Sequence, residues 1–110
     1  MEEENGSDGG MSNEEVQNEM ARMLSSVKDM TLYNISILAS QAWHHLGLVP
    51  MPGTEAGHKD LEQAKLAIDL FEANLRILSG HIEEKHEKEL KRVLMDLHLN
   101  YVNKSKEERE

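Results

Sequence analysis

The chain has no cysteine among its 110 residues, which excludes a disulfide framework, a thiol nucleophile and any Cys-based zinc site. Aromatic residues are scarce at 4%, so a core has to be assembled from aliphatic side chains and methionine. No apolar run approaches the ~20 residues that cross a bilayer; Ser36, Ser40, Gln41, His44 and His45 interrupt the longest candidate. Positive charge is also short, with 12 Lys and Arg against 21 Asp and Glu for a net −9. A duplex would be repelled, and no basic stripe with interleaved aromatics offsets this. Alternation with period two is absent, so strands are not expected. What remains is a chain for one small helical domain, with no nucleic acid, no membrane and no cofactor expected.

Two thirds of the excess acidity lies at the start. Residues 1–30 hold eight acidic and two basic side chains, residues 31–80 five and three, and residues 81–110 eight and seven. The opening Met1 to Gly10 is acidic and glycine-rich, the opposite of a basic segment followed by an apolar one, so a cytoplasmic location is expected. Residues 1–12 read as a disordered acidic leader by composition.

Helical periodicity begins at Ser12 or Asn13. Val16, Met20, Met23, Leu24, Val27 and Met30 recur at helical spacing and predict one Met-rich amphipathic helix over 13–30. Methionine adapts to irregular surfaces, which makes Met20, Met23, Val27 and Met30 a candidate docking stripe, with the Pro50–Gly57 loop as the other. A second helix runs from a Thr31 cap to Gly47, which can end it in a left-handed conformation. Leu32, Ile35, Ala39, Ala42, Trp43 and Leu46 share one arc of that helix. Tyr33, Ile37, His44 and Leu48 lie nearly opposite.

Asp60 caps a third helix, Leu61 to Leu78, closed by Ser79 and Gly80. Its main face is Leu61, Ala64, Ile68, Phe71, Leu75 and Leu78, and a second stripe is Leu66, Leu70, Ala73 and Ile77. The last helix extends from about Glu84 to Asn103, with Leu90, Val93, Leu94, Leu97 and Tyr101 on one side and Met95, Leu99 and Val102 on another. Glu84–Lys88 and Glu87–Lys91 are spaced as supporting ion pairs. Residues 104–110 read as a charged, frayed tail. The fold class is all-α, a small bundle of three core helices spanning 31–103 plus the amphipathic N-terminal helix.

A surface helix needs one apolar stripe, and each core helix has two. The surplus on Ile37, Leu48, Leu66, Leu70, Ile77, Leu99 and Val102 exceeds what a soluble monomer usually exposes. Completion by a homodimer follows, since C₂ pairing is the commonest closure, with the Met-rich first helix folding back over one of these faces as the alternative. Ile37, Leu48, Leu66, Leu70 and Ile77 are the candidate interface. His44 joins these residues as a candidate interface group.

Chemical motifs are sparse. The six histidines include no His-x-x-x-His pair. His44 and His45 diverge by about 100° on a helix, and Glu83-x-x-His86 lacks the second copy and further carboxylates that a bundle di-metal site requires. Glu83 is better read as an N-cap. No serine sits in a nucleophile elbow, and Gly53–Gly57 has no P-loop lysine. Trp43 is expected as a core anchor. A non-catalytic interaction module acting with a protein partner is therefore expected, the alternative being an enzyme or metal protein with a site at a dimer interface around Gln41, His44 and His45.

Three blocks carry a family resemblance. Leu38-Ala39-Ser40-Gln41-Ala42-Trp43-His44-His45-Leu46-Gly47-Leu48-Val49-Pro50, then Asp60-Leu61-Glu62-Gln63-Ala64-Lys65 with Ile68-Asp69, then Leu90, Val93-Leu94, Leu97 and Tyr101-Val102 resemble the domain of unknown function 1844 family over about residues 31–102. The resemblance implies a short, bacterial, cytoplasmic, helical protein with no established activity, substrate or cofactor, and it transfers no site residue. Family members often open the last helix with Ser/Thr-Pro, where this chain has Glu83-Glu84.

Overall fold

The computed structural model describes residues 12–49 and 59–109. Four helices occur there: α1 (Asn13–Leu24), α2 (Val27–His45), α3 (Leu61–Leu78) and α4 (Glu84–Arg109). No strand occurs among the described residues. The expected leader up to residue 11 and the Pro50–Gly57 loop lie outside them. The chain divides into two units, Met1–Thr31 and Leu32–Glu110.

In the first unit, Ser12 and Glu15 form a reciprocal cap. The Ser12 hydroxyl accepts from the Glu15 N–H at 3.1 Å, and the Glu15 carboxylate accepts from the Ser12 N–H at 3.0 Å, which satisfies two otherwise orphaned donors. That bond to the Ser12 backbone holds the Glu15 carboxyl below its ordinary range. The single helix expected over 13–30 is broken at Ser25-Ser26. The Ser25 hydroxyl donates to the Arg22 carbonyl at 2.7 Å, while the Ser26 hydroxyl accepts from the Asp29 N–H at 3.1 Å. One serine closes α1 and the next opens α2, because short hydroxyl side chains compete with backbone partners at helix ends. Val27 and Met30 therefore belong to α2, and Thr31 does not cap it. Thr31 lies one turn inside, with its hydroxyl on the Val27 carbonyl at 2.7 Å.

In the second unit α2, α3 and α4 share one core. Ile35, Ala42 and Leu46 from α2 and the turn after it meet Ala64, Ala67, Ile68, Phe71, Leu75 and Leu78 from α3 and Leu97 from α4. Trp43 packs at the edge of this cluster, in keeping with its reading as an anchor. Apart from Ala67, these are the main-face residues that the 3.6-residue period selects. Helix α2 ends in a Schellman arrangement: Gly47 has φ 82°, the Leu48 N–H donates to the Trp43 carbonyl at 3.2 Å, and the Gly47 N–H donates to His44 at 2.9 Å. The Asp60 N–H then donates to the His45 carbonyl at 2.8 Å, which ties the start of α3 to the end of α2. Asp60 caps α3 as expected, its carboxylate accepting from the Gln63 N–H at 3.2 Å.

The α3–α4 turn is held by polar contacts. The Glu87 carboxylate accepts from the Ser79 hydroxyl at 2.8 Å and from the Lys91 ammonium at 3.0 Å. The Ser79 bond, followed by that to Lys91, holds the Glu87 carboxyl below its ordinary range. A depressed folded value means stability that is full above the ordinary glutamate range and lost as pH falls through the folded one. Replacing Glu87 by Gln is expected to flatten the acid limb of the stability–pH profile, and a limb as steep as that of the parent protein in urea melts would refute this. Gly80 has φ 90° with nothing within 4 Å of where a Cβ would stand. A Gly80→Ala change therefore incurs backbone strain alone, about 1–2 kcal/mol in an equilibrium melt.

Helix α4 also runs further than expected, to Arg109 in place of Asn103. Tyr101 packs against the core and Ser105 is half-buried, so the helix continues through a turn that composition alone marks as frayed. The Glu87–Lys91 pair forms, whereas Glu84 and Lys88 make none among the described residues.

Candidate functional site

The chain's most distinctive surface lies along one flank of α2 and α3. Leu38, Gln41 and His45 of α2 face Gln63, Leu66, Ala67 and Leu70 of α3 across a shallow groove of about 70 Å³. Helical geometry of 100° per residue extends this flank to Asn34 and Ile37 on α2 and to Ala73, Asn74 and Ile77 on α3. None of these positions is Asp, Glu, Lys or Arg, in a chain with 30% charged residues. Ile37, Leu66, Leu70 and Ile77 are all exposed, Ile77 at 71%.

The polar groups of the flank are neutral amides and one imidazole. Asn74 donates to the Leu70 carbonyl at 2.7 Å. The Nδ1 of His45 is buried with no hydrogen-bond partner among the described residues, an unusual condition for a buried polar atom. A groove lined by four aliphatic and three polar side chains can fix the orientation of whatever covers it.

Of the expected interface residues, Ile37, Leu66, Leu70 and Ile77 fall on this flank, and Leu48 is exposed in the turn after α2. His44 departs from them. It is only 6% exposed, and its Nδ1 lies 3.2 Å from the Val49 carbonyl, because the turn at Gly47 folds the chain back over it. The His44 and His45 rings meet edge to face with centroids 5.0 Å apart. His45, Gln41 and Gln63 come together in the groove while His44 points elsewhere. Gln63 lies on neither apolar stripe of α3 and enters only through the second family block. Its signal is its wheel position, on the same flank as Leu66 and Leu70. Among the described residues, no three His, Asp or Glu side chains gather as a metal site.

The Met-rich stripe is divided by the break at Ser25-Ser26. Met20 on α1 and Val27 at the start of α2 are exposed and Met30 is half-buried, while the Met23 side chain lies outside the described residues. No helix among the described residues is long and apolar enough to cross a membrane.

Comparison with known sequences agrees with the three blocks. The chain belongs to the family described as Domain of unknown function (DUF1844), whose model matches residues 28–103, from the first turn of α2 well into α4. No curated protein and no solved structure matches the chain. The family description names no reaction, ligand or partner.

Proposed function

We propose that the protein is a non-catalytic, homodimeric interaction module whose two copies meet through the α2–α3 flank. The observation that supports this reading is the missing charge. Two copies of a chain at −9 repel at long range, and a face free of Asp, Glu, Lys and Arg is where identical surfaces approach with least opposition. Amides suit such a contact, since each Gln or Asn side chain both donates and accepts and can pair with its own copy across a two-fold axis.

Over residues 34–45 and 63–77 the flank is about 20 Å long at the usual rise and two helices, about 20 Å, wide. It presents roughly 400 Å² per copy, so a pair would bury about 800 Å², the size of a weak or transient contact. Burial of Ile37, Leu66, Leu70 and Ile77 supplies the hydrophobic contribution, with Gln41, His45 and Gln63 setting the register.

Sedimentation equilibrium of the full chain at micromolar concentration tests this. Twice the 12.5 kDa chain mass is expected, and a single-chain mass over the whole concentration range would remove the proposal.

A further inference from the structure

The outer side of α4 carries a second surface of opposite design. Lys85, Lys88, Arg92, Met95, Leu99, Val102 and Lys106 follow one another at alternating steps of three and four, the spacing of a coiled-coil seam. All seven are exposed, Met95 at 70%. They lie opposite Leu90, Val93, Leu94 and Leu97, which serve the core, so α4 presents one seam inward and another outward. The outward seam is apolar over its middle two turns and basic at both ends. Among the described residues, none of Lys85, Lys88, Arg92 and Lys106 takes part in an ion pair, whereas Lys91 beside the seam is held by Glu87 at 3.0 Å. Acidic residues occur only along its edges, at Glu84, Glu89, Asp96 and Glu107, the last paired with Lys104 at 3.6 Å.

We infer that this seam docks a helix of another protein, one with apolar side chains at its centre and Asp or Glu at both ends of its own seam. Charge decides the occupant. Two copies of α4 aligned in parallel set each cation against itself. Aligned antiparallel about the Met95–Leu99 centre, they set Lys88 against Lys106. Like charges at facing positions are unfavourable in either case, so a second copy is the wrong partner here, in contrast to the uncharged α2–α3 flank. A phosphate backbone would find nothing for Met95, Leu99 and Val102 to bury, and no aromatic residue stands on the seam for base stacking. An anionic bilayer would meet three modest side chains on a chain of net −9. A helix whose knobs fill the central two turns while carboxylates reach Lys88, Arg92 and Lys106 satisfies every group present.

The test uses the full-length protein and two labelled synthetic peptides of about three heptads. Both have leucine at the seam's centre; one has glutamate at its ends and the other lysine. Fluorescence anisotropy is expected to show the acidic peptide bound at least about tenfold more tightly, with the advantage shrinking as salt rises. Lys88→Glu with Arg92→Glu should reverse the preference toward the basic peptide, and Leu99→Asp should abolish binding of both. These positions are exposed, so unchanged circular dichroism serves as the folding control. Equal affinity for the two peptides, or binding of neither, would overturn the inference. So would binding to phosphatidylglycerol vesicles that Leu99→Asp releases, which would give the face to lipid. Leu66→Glu with Leu70→Glu should leave peptide binding intact, which keeps this seam separate from the proposed dimer.

Discussion

Replacing Phe71 by Ala is expected to destabilise the protein by about 3–5 kcal/mol, the largest effect of any single truncation in this chain. Phe71 is fully buried at the middle of α3 and is the only phenylalanine present. Its ring belongs to a core otherwise made of Ile35, Leu46, Ile68, Leu75, Leu78, Leu97 and alanines, so the void left behind has no buried neighbour of similar size to fill it. Domains of this size hold a total stability of only about 5–15 kcal/mol. With a urea slope of about 2 kcal/mol per molar, the midpoint should fall by roughly 2 M. The comparison has to be made at equal protein concentration, because association adds concentration-dependent stability. A loss below about 1 kcal/mol, the effect of a typical surface or tolerated substitution, would mean that Phe71 does not anchor the three helices.

The second large effect concerns association. Leu66→Glu together with Leu70→Glu is expected to convert a dimer into single chains, weakening self-association by about a hundredfold or more. Each substitution removes an apolar side chain worth about 1.5–3 kcal/mol when fully buried. It also leaves a carboxylate facing its own copy in a poorly hydrated contact. Both residues are exposed in the single chain, so the unfolding free energy extrapolated to low concentration should change by no more than about 0.5 kcal/mol. Leu99→Glu is the matched control, an exposed leucine of α4 turned acidic outside the proposed face. Mass unaltered by the paired substitution, or reduced equally by Leu99→Glu, would place the contact elsewhere or nowhere.

Much of this architecture is legible in residue order. Stripes at helical spacing locate α3 within its exact bounds of Leu61–Leu78 and separate Leu61, Ala64, Ile68, Phe71, Leu75 and Leu78 from the exposed Leu66, Leu70 and Ile77. Asp60 and Gly47 mark helix ends because a short carboxylate and a residue free at positive φ have few better uses. Helix boundaries elsewhere were less readable. The Ser25-Ser26 break lies within an uninterrupted apolar period, and only the competition of two hydroxyls for backbone groups divides it. Helix α4 continues past Asn103, next to Tyr101, which packs on a core built from residues distant in sequence.

The candidate surfaces divide in the same way. Exposed leucines on second stripes are predictable from a helical wheel. The neutrality of the α2–α3 flank is a property of two helices set side by side, and neither stripe read alone contains Gln41, His45 and Gln63 as one group. His44 makes the point at a single residue. Its wheel position predicts an outward ring, yet the turn at Gly47 brings the Val49 carbonyl to 3.2 Å from it and removes it from the surface.

Residue order alone determined that the chain is helical, which side of each helix is buried, and where two of the caps fall, since periodicity and capping act over a few neighbouring residues. The tertiary structure decided which second stripes adjoin, that His45 and Gln63 share a groove, and that the cations of α4 line an outward seam. Those outcomes depend on how helices rotate and pack against each other, and packing joins residues that no local rule relates.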